Sequence, residues 1–561
     1  MPDIITLLLK IAQGAGSLLL IAATAYIQLR HGAQVCAKPE KGEPAQAIPP
    51  QPAPEDKLSS SLPHCCAASD PARLNFVCEN DREIAPRSIS FDGSYSSLRG
   101  VVTFRGDNFR SGGAYGTADI VKKRFSTDVW TCRTGRLDKT NGRGKYWTGS
   151  GWTGQPIIIN WDEATRRIMN LYPDKKEKDL IEVIYPTMDG NVYFLDLEDG
   201  TPTRDKIVLG MPIKGTGSLH PAGLPIFIAG AGDSMPGRCA RSFVLDLVKG
   251  EIACELGYDD PFAPRKDHNC FHGYDSSPLY DVKNDIVLQP AENGIIYTTR
   301  LNSSLENGSL KLAPEVISRT RYSNSRSGEE NYWLGMESSA VMWKNYMYIA
   351  DNGGNLMCYD VNTMQLIWSC DTVDDSNASP VLEEEEDGNA YIYISTSLHF
   401  TKDEEGCGDI PIWKINACTG EKLWQRTYRC ATMAGVSGGV QATALLGKQS
   451  LGGLVYFAVA RTGGFNKGLL VALDKKTGAE VWRVRLNHYV WSSPLGIYDS
   501  QGNGYIVQCD SDGNMMLFDG LTGELYDSVS LGKNIEATPA AYGNTVVVGT
   551  RTQRICGVRI I

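Results

Sequence analysis

The clearest indication of the fold is the stretch Val471-Ala-Leu-Asp-Lys-Lys-Thr-Gly-Ala-Glu-Val-Trp482. It is typical of a strand, a tight turn and a second strand. The Asp474 side chain closes the turn, and Gly478 supplies the positive φ with which the chain re-enters the sheet. Similar stretches occupy residues 413–424 and 357–368, and weaker copies begin at Phe243, Tyr193 and Leu517.

A second marker precedes these hairpins, and it consists of small polar residues before a proline or another small residue. It is found at Asp275-Ser-Ser-Pro278, Glu337-Ser-Ser-Ala340, Asn377-Ala-Ser-Pro380, Val440-Gln-Ala-Thr443, Trp491-Ser-Ser-Pro494 and Glu536-Ala-Thr-Pro539. Looser versions lie at residues 152–156 and 220–225. The eight starts are roughly 40 to 70 residues apart, a spacing that suits four-stranded propeller blades with variable loops. The sequence therefore predicts an all-β, eight-bladed β-propeller.

The two ends of the propeller are predicted to share one blade. The last repeat has three strands and no Trp-bearing outer strand, whereas Phe125-Ser-Thr-Asp-Val-Trp130 supplies such a strand before the first full repeat. Pairing these segments removes the open edges that invite aggregation. We expect Trp130 to complete the blade that begins at Glu536, within a propeller over residues 119–561 that follows a lead-in extension over 76–118.

The amino-terminal part is predicted to tether the propeller. Residues 11–29 carry no charge, and a helix of this length nearly crosses a bilayer core of roughly 30 Å. We interpret residues 1–30 as a signal anchor, although Ala23-Thr24-Ala25 also fits the cleavage site of a signal peptide. Residues 31–75 form a proline-rich linker, because seven prolines between positions 37 and 63 favour extended conformations.

Charge and cysteine content bear on location and partners. Arg30, Lys38 and Lys41 follow the apolar segment, and the positive-inside rule alone would place the propeller in the cytoplasm. The 15 cysteines favour an oxidising compartment instead, and we predict a membrane-anchored, extracytoplasmic protein. The net charge of −10 argues against nucleic acid as a partner.

The repeated hairpin and its Ser-Ser-Pro marker resemble the pyrroloquinoline-quinone-type propeller repeat. That repeat occurs in quinoprotein alcohol dehydrogenases and in outer-membrane assembly lipoproteins of the BamB kind. The resemblance covers roughly residues 120–561. It implies a structural role for the repeat tryptophans, which dock each blade on its neighbour: Trp130, Trp368, Trp424 and Trp482.

The same resemblance implies where a cofactor would bind. In the dehydrogenases, the quinone and its metal lie where inner strands meet the channel mouth. The residues that precede the markers should lie near that region: His220, Asp275, Glu337, Asn377, Gln441, Trp491 and Glu536. Glu337 and Asn377 are the candidate calcium ligands. Against an enzyme, the vicinal pair Cys65-Cys66 lies outside the propeller, and the sequence contains no CxxCH haem motif.

We therefore expect a binding or scaffold module without a cofactor, which binds a protein or a cell-envelope glycan. The channel mouth and the loops at 259–274, 319–335 and 398–411 are the candidate surfaces. The alternative is an alcohol or sugar dehydrogenase that depends on pyrroloquinoline quinone (PQQ) and calcium. A third option is a BamB-like envelope assembly factor, against which the missing lipobox counts.

One disulfide is also predicted. Cys132 lies on the closing strand, and Cys556 lies on the strand that should pair with it. A bond between them would close a loop spanning most of the chain.

Overall fold

A computed structural model describes residues 74–139, 146–150, 152–265, 272–386, 388–433 and 436–561, together with the backbone of Glu40–Lys41. These residues form eight antiparallel β-sheets, which are the blades of a propeller. The predicted all-β, eight-bladed fold is confirmed. The predicted anchor helix and most of the proline-rich linker lie outside the described residues. No helix in the part of the chain described is long and apolar enough to cross a bilayer.

Each blade has four strands, which follow one another from the channel outward. Blade 1 contains Ile157–Asn160, Ile181–Pro186, Asn191–Asp196 and Ile207–Val208; blade 2 contains Ser218–Leu219, Ile226–Gly230, Ser242–Asp246 and Glu251–Leu256; blade 3 contains Leu279–Asp281, Ile286–Pro290, Ile295–Arg300 and Glu315–Ser323; blade 4 contains Val341–Trp343, Tyr346–Ala350, Asn355–Asp360 and Gln365–Asp371. Blade 5 contains Val381–Glu384, Ala390–Ser395, Cys407–Asn416 and Lys422–Ala431; blade 6 contains Leu445–Leu446, Leu454–Ala460, Gly468–Asp474 and Glu480–Leu486; blade 7 contains Leu495–Tyr498, Gly504–Cys509, Asn514–Asp519 and Leu525–Ser530; blade 8 contains Ala540–Tyr542, Thr545–Thr550, Arg554–Ile560 and Phe125–Arg133.

Shorter elements complete the chain. Val77–Asn80 extends the outer edge of blade 3, and Glu40–Lys41 extends that of blade 6. Small strands and helices lie in the connections: Arg136–Asp138, Tyr146–Thr148, Ser304–Glu306, Ser309–Lys311, Ser397–Leu398, Gly438–Gly439, the α-helices Glu163–Ile168 and Pro173–Glu177, and the 3-10 helices Val282–Asn284, Glu329–Asn331 and Gln449–Leu451.

The hydrophobic core lies between neighbouring blades. In the strand Leu454–Ala460 every residue is buried. Val455 and Phe457 pack with residues of blade 5, whereas the alternate residues Tyr456 and Ala458 pack with residues of blade 7. Successive side chains of a strand point to opposite faces, so a strand covered on both faces needs an uninterrupted apolar run. This is why the middle strands do not show the alternation of a half-exposed sheet.

The closing blade joins the two ends of the propeller as predicted. Phe125–Arg133 pairs with Arg554–Ile560, and Trp130 stands opposite Gly557. The predicted Cys132–Cys556 disulfide is absent, because Cys132 is opposite Ile555 and Cys556 is opposite Thr131. This one-residue offset turns the two side chains to opposite faces of the sheet. Cys556 packs toward blade 7, and Cys132 packs toward blade 1.

The repeat tryptophans contact the next blade. The indole N–H groups of Trp130, Trp368, Trp424 and Trp482 donate to backbone carbonyls of Leu197, Ala417, Lys475 and Gly520 at 2.9 to 3.2 Å. Trp424 also packs on the turn glycine of the next blade, since a Cβ atom on Gly478 would lie 2.7 Å from its ring. The turn glycine therefore serves both the local backbone and the packing of blade on blade.

The small polar markers form a belt of hydroxyl groups around the channel. The backbone N–H of Ser277 donates to Ser339 Oγ at 3.0 Å, and that of Ser339 donates to Ser379 Oγ at 2.8 Å. The pattern continues from Ser379 to Thr443 and from Thr443 to Ser493. Each of these hydroxyl groups thus satisfies a buried backbone donor of the preceding blade, which explains why the marker repeats.

The lead-in extension fills the lower part of the channel. We call residues 99–118 the channel segment. It enters beside Asn160, at the end of the first inner strand, and leaves beside Tyr498, at the end of the seventh. Arg110, in the middle of the segment, donates hydrogen bonds to the carbonyl groups of Ser277 and Ala340. These two residues lie just before the inner strands of blades 3 and 4, so the segment reaches the level at which inner strands begin. The channel segment therefore fills the channel from one end up to the level at which the inner strands begin, and we call the opposite end the mouth.

Backbone or side-chain hydrogen bonds link the channel segment to the inner-strand region of every blade. Its partners, from blade 1 to blade 8, are Ile158, Leu219, Ser277, Met342, Leu382, Ala444, Pro494 and Ala541. Arg105 and Arg110 are fully buried in it, and their guanidinium groups donate mainly to backbone carbonyls. One segment thus ties all eight blades together.

Candidate functional site at the channel mouth

Eight equivalent positions surround the mouth, one in each blade. Each lies two residues before the belt position, and we call this set the mouth ring: Thr153, Lys214, Asp275, Glu337, Asn377, Gln441, Trp491 and Glu536. Six of the seven residues expected near the mouth from the sequence occupy ring positions: Asp275, Glu337, Asn377, Gln441, Trp491 and Glu536. Contacts between the ring residues and their neighbours connect each blade to the next around the mouth.

The sequence misplaced the start of blade 2. The inner strand of that blade is Ser218–Leu219, so the marker is Lys214-Gly-Thr-Gly-Ser218 and the ring residue is Lys214. The Thr216 hydroxyl accepts a hydrogen bond from the Gln155 backbone at 2.7 Å, as a belt residue should. His220 lies beyond the strand, and burial lowers its pKa to about 4. It packs against Tyr280 and does not belong to the ring.

Blades 2 to 4 supply an acidic side with one lysine. Lys214 Nζ lies 3.9 Å from Asp275 Oδ2. Burial raises the pKa of Asp275 to about 7, although the lysine charge opposes this. Glu292 is fully buried and accepts a hydrogen bond from the Gly273 backbone at 2.7 Å. Burial alone would raise the pKa of Glu292, but Lys214 and a hydrogen bond from Glu337 hold it below its usual value.

Glu337 is the proton-carrying partner of Glu292. Burial, together with the charge of Glu292, raises the pKa of Glu337 well above its usual range. Its Oε1 also accepts a hydrogen bond from Asn352 Nδ2 at 3.2 Å. A raised pKa for Glu337 next to a lowered pKa for Glu292 is expected for two buried carboxyl groups in contact.

In blade 5 the ring residue Asn377 contacts its neighbour Asp375, which is 3% exposed. Its Oδ2 accepts hydrogen bonds at 3.0 Å from Asn377 Nδ2 and from Ser397 Oγ, and it lies 3.2 Å from His399 Nε2. Burial is the main cause that raises the pKa of Asp375 to about 8. Burial also lowers the pKa of His399. The same Nε2 atom of His399 lies 2.9 Å from Ser437 Oγ, which is within hydrogen-bond distance.

Blades 6 to 8 supply an aromatic and cationic side. The Ser437 carbonyl accepts hydrogen bonds from Trp491 Nε1 and Arg461 Nε at 3.2 and 3.3 Å. Trp491 stacks on Trp152 with 6.1 Å between ring centroids. The Arg551 guanidinium lies 5.5 Å from the centroid of Trp152.

Two further contacts connect the aromatic and cationic side with residues of blades 8 and 2. Arg551 Nε lies 3.5 Å from Glu536 Oε2, and burial raises the pKa of Glu536. On the other side, the Trp152 backbone donates to the Lys214 carbonyl at 3.3 Å. The mouth thus has a carboxylate-rich half and a cationic, aromatic half.

Several buried polar atoms of the ring and its neighbours have no hydrogen-bond partner within the described residues, among them Asp275 Oδ1, Glu292 Oε1, Asn352 Oδ1, Asp375 Oδ1, Asn377 Oδ1 and Arg461 Nη2. Arg461 is only 1% exposed, and its guanidinium lies between aromatic rings, 4.0 Å from the centroid of Tyr489. Buried polar atoms without partners are costly unless a ligand or water supplies them. Acceptors lack donors on one half of the mouth, and a donor lacks an acceptor on the other.

The donor set does not fit calcium beside a quinone. Calcium takes six to eight oxygen ligands. Glu337 is engaged by Glu292 and Asn352, and the nearby Lys214 already supplies a positive charge to these carboxyl groups. One face of Trp491, the candidate quinone floor, is covered by Trp152. Among the residues described, no group of three or more His, Cys, Asp or Glu side chains is arranged to hold a metal ion.

Sequence reasoning missed the ring neighbours Glu292, Asp375, Arg461 and Arg551. Glu292, Arg461 and Arg551 follow the second strand of their blades, and Asp375 lies in a connection between blades. Charged residues that directly follow a buried, uninterrupted apolar strand were a usable signal. Arg461 follows Leu454–Ala460 in this way, and it lies in the mouth because second strands run back toward it.

Comparison with known proteins supports the repeat assignment. Residues 466–560 match a family model described as "Outer membrane protein assembly factor BamB". BamB from Moraxella catarrhalis is 13% identical with a TM-score of 0.44, over 72% of this chain and 96% of that chain. The computationally designed Ika8 protein is 14% identical with a TM-score of 0.42, over 68% and 93% respectively. No curated protein sequence matches. The predicted resemblance to pyrroloquinoline-quinone-type, BamB-like propeller repeats is confirmed over residues 466–560, and the eight-bladed fold is consistent with it.

Proposed function

We propose that this protein is a non-enzymatic binding scaffold whose ligand or partner is held at the mouth ring. The observation that carries the proposal is a pair of unsatisfied groups at the mouth, which are connected through His399 and Ser437. Arg461 Nη2 has no acceptor and Asp375 Oδ1 has no donor among the described residues, and both side chains are almost fully buried. Groups placed in this way are stabilised by a ligand that supplies both an acceptor and a donor.

The surrounding structure suits a rigid scaffold. The channel segment closes the channel below the mouth, and the hydroxyl belt fixes the backbone at the ring positions. Preorganised polar groups lose little entropy on binding. The partner would be a protein or a cell-envelope glycan, as the sequence predicts.

The proposal is tested by a thermal-unfolding screen of small anions, amines, sugars and short peptides. Each compound that stabilises the wild type is measured again on Asp375→Asn and on Arg461→Met. A control variant, Leu521→Ala, lies in an exposed turn between the outer two strands of blade 7. We expect stabilisation to be lost in the mouth variants and kept in the control. Stabilisation that is equal in all variants would place the binding site elsewhere and refute the proposal.

The PQQ- and calcium-dependent dehydrogenase remains the alternative proposal, and the same assay tests it. PQQ with calcium is added to the purified protein, and dye reduction is followed with alcohols and aldose sugars. Stabilisation that disappears in Glu337→Ala and Asn377→Ala, together with turnover, would establish the enzyme and exclude the scaffold. We expect neither, because Glu337 is already engaged by Glu292 and Asn352.

An extracytoplasmic location is part of the proposal. Its support is the uncharged stretch at residues 11–29 and the match to a family model described as an outer membrane protein assembly factor. An envelope assembly role is the third candidate. Protease added to intact cells tests the location: we expect cleavage of the propeller once any outer barrier is opened, and full protection would contradict it.

A further inference from the structure

We propose that the acidic half of the mouth binds a primary ammonium group, and this inference rests on the proposed function of the mouth ring. The site consists of Glu337, Asn352, Asp375 and Asn377, with an aromatic rim formed by Tyr332, Trp333 and Phe400. We call these seven residues the ammonium site.

The hydrogen-bonding capacity of the site fits an ammonium group. Three of its oxygen atoms are buried acceptors that lack a donor within the described residues: Asn352 Oδ1, Asp375 Oδ1 and Asn377 Oδ1. They belong to one neighbourhood. Asn352 bonds to Glu337, Asp375 acts electrostatically on Glu337, and Asn377 bonds to Asp375. A primary ammonium group has three N–H donors and no acceptor, which matches this set in number and in kind.

The aromatic rim is a second and independent observation. Trp333 contacts Phe400 with 4.6 Å between ring centroids and Tyr332 with 4.9 Å, both edge to face. Tyr332 and Phe400 are exposed at 38% and 39%. The ring centroids of Trp333 and His399 are 6.3 Å apart, and His399 is the residue that contacts Asp375. Aromatic faces attract organic cations, and aromatic rings beside carboxylates are a known way to recognise them.

The rim is held in position by another buried carboxylate. Asp374 is fully buried and accepts hydrogen bonds from the backbone N–H groups of His399, Phe400 and Thr401 at 2.9 to 3.0 Å. This anchors the loop that carries Phe400 directly beside Asp375. The loop is therefore set before a ligand arrives, and binding needs little ordering.

The distribution of charged residues favours binding of a cation beside blades 4 and 5 over binding beside Lys214. Burial lowers the pKa of Lys214, but the negative charges of Asp275, Glu292, Asp233 and Glu337 raise it overall. A second cation is repelled from that side. Asp375 has no such lysine or arginine partner within the described part of the chain, since its contacts are with Asn377, Ser397 and His399. Burial favours the protonated form of Asp375 in the empty site, and an incoming ammonium group would favour its ionised form instead.

The experiment measures binding of two amines to the purified full chain by titration calorimetry and tryptophan fluorescence. The probes are 1,5-diaminopentane and the capped lysine Nα-acetyl-lysine-methylamide, with its Nε-acetyl derivative as the uncharged control. Binding of both amines would indicate a lysine side chain of a partner as the natural source. Binding of the diamine alone would indicate a small amine, and either result supports the proposal.

Variants locate the binding. We expect Asp375→Asn and Trp333→Leu each to weaken amine binding at least tenfold, while Glu404→Gln, an exposed acid in the same loop, leaves it unchanged. If Asp375→Asn does not fold, the double variant Trp333→Leu/Phe400→Ala tests the same site from its rim. Failure of both amines to bind at millimolar concentration, equal binding in all variants, or binding of calcium with exclusion of the amines would each overturn the inference.

Failure of this inference is distinguishable from failure of the proposed function. If other compounds in the thermal screen depend on Arg461 and Asp375 while amines do not bind, the mouth ring binds a ligand and only the ammonium site is wrong. If no compound depends on the mouth variants, the proposed function itself is wrong.

Discussion

Replacing Arg110 by methionine should loosen the whole propeller. Arg110 is fully buried in the channel segment, and its guanidinium donates hydrogen bonds to four acceptors. Its Nε donates to the Ala340 carbonyl at 2.9 Å, and its Nη2 donates to the Ser277 carbonyl at 2.8 Å. These two bonds connect the segment to blades 4 and 3. Methionine is similar in length and apolar, so it removes the donors and leaves little empty space.

The size of the effect follows from the carbonyl groups left behind. A buried acceptor without a donor costs roughly 1–3 kcal/mol, so the two interblade bonds alone predict a destabilisation of about 2–6 kcal/mol. Burial lowers the pKa of Arg110 to about 10, and the guanidinium is therefore still charged and donating at neutral pH. Arg110→Lys should lie between the wild type and the methionine variant, since an ammonium group keeps the charge but has fewer donors.

Denaturant-induced unfolding, followed by tryptophan fluorescence, measures the change in midpoint. The matched control is Arg429→Met, in which an arginine with a 58% exposed side chain loses a surface ion pair with Asp403. We expect the control to unfold at the wild-type midpoint. If Arg110→Met unfolds together with the control, the channel segment does not hold the blades together, and the reasoning from its hydrogen bonds is wrong.

Three further predictions concern the blades and the mouth. Gly478→Ala should destabilise the protein by about 2–5 kcal/mol, because alanine at a positive φ costs roughly 1–2 kcal/mol and crowding in a packed region adds about 1–3 kcal/mol. The crowding arises because the new Cβ would lie 2.7 Å from the Trp424 ring. The control variant Gly453→Ala places its Cβ where no atom lies within 4 Å, and it should unfold as the wild type does. Asp375→Asn should flatten the pH dependence of stability. In the wild type the pKa of Asp375 is raised to about 8 from an unfolded value of about 3.9, so the folded state keeps a proton that the unfolded chain releases. The contribution of Asp375 to stability therefore falls as the pH rises from about 4 to about 8, and the asparagine variant lacks this change. Midpoints compared between about pH 5 and pH 8 check this, and an equal slope in both proteins would contradict it. Peptide mass mapping without reduction should find Cys132 and Cys556 unlinked, whereas Thr131→Cys should bond to Cys556, its directly opposite neighbour; a native Cys132–Cys556 bridge would show that the register is wrong.

The blades and their closure were predictable because their signals are local. An Asp or Asn at the end of a strand, a glycine in the turn and a tryptophan on the next strand each respond to backbone geometry within a dozen residues. Blade 2 was placed wrongly because its marker, Lys214-Gly-Thr-Gly-Ser218, has no proline or serine pair. The Cys132–Cys556 pairing was not predictable because the register of the two strands, which sets Cys132 opposite Ile555, depends on a pairing between the chain's two ends that no local pattern indicates.

The number of blades, the closing strand and six of the eight positions around the mouth follow from a period repeated along the chain, so the amino-acid sequence was enough to predict them. What those positions can do depends on tertiary structure. Glu292, Asp375 and Arg461 come from connections in different blades, and their charges matter because folding buries all three at the mouth. The same holds for the channel segment, whose arginines are solvent-seeking in isolation and become internal ties only where rings of backbone carbonyls face them. Burial and long-range proximity set their free energies, and neither is written in a local stretch of sequence.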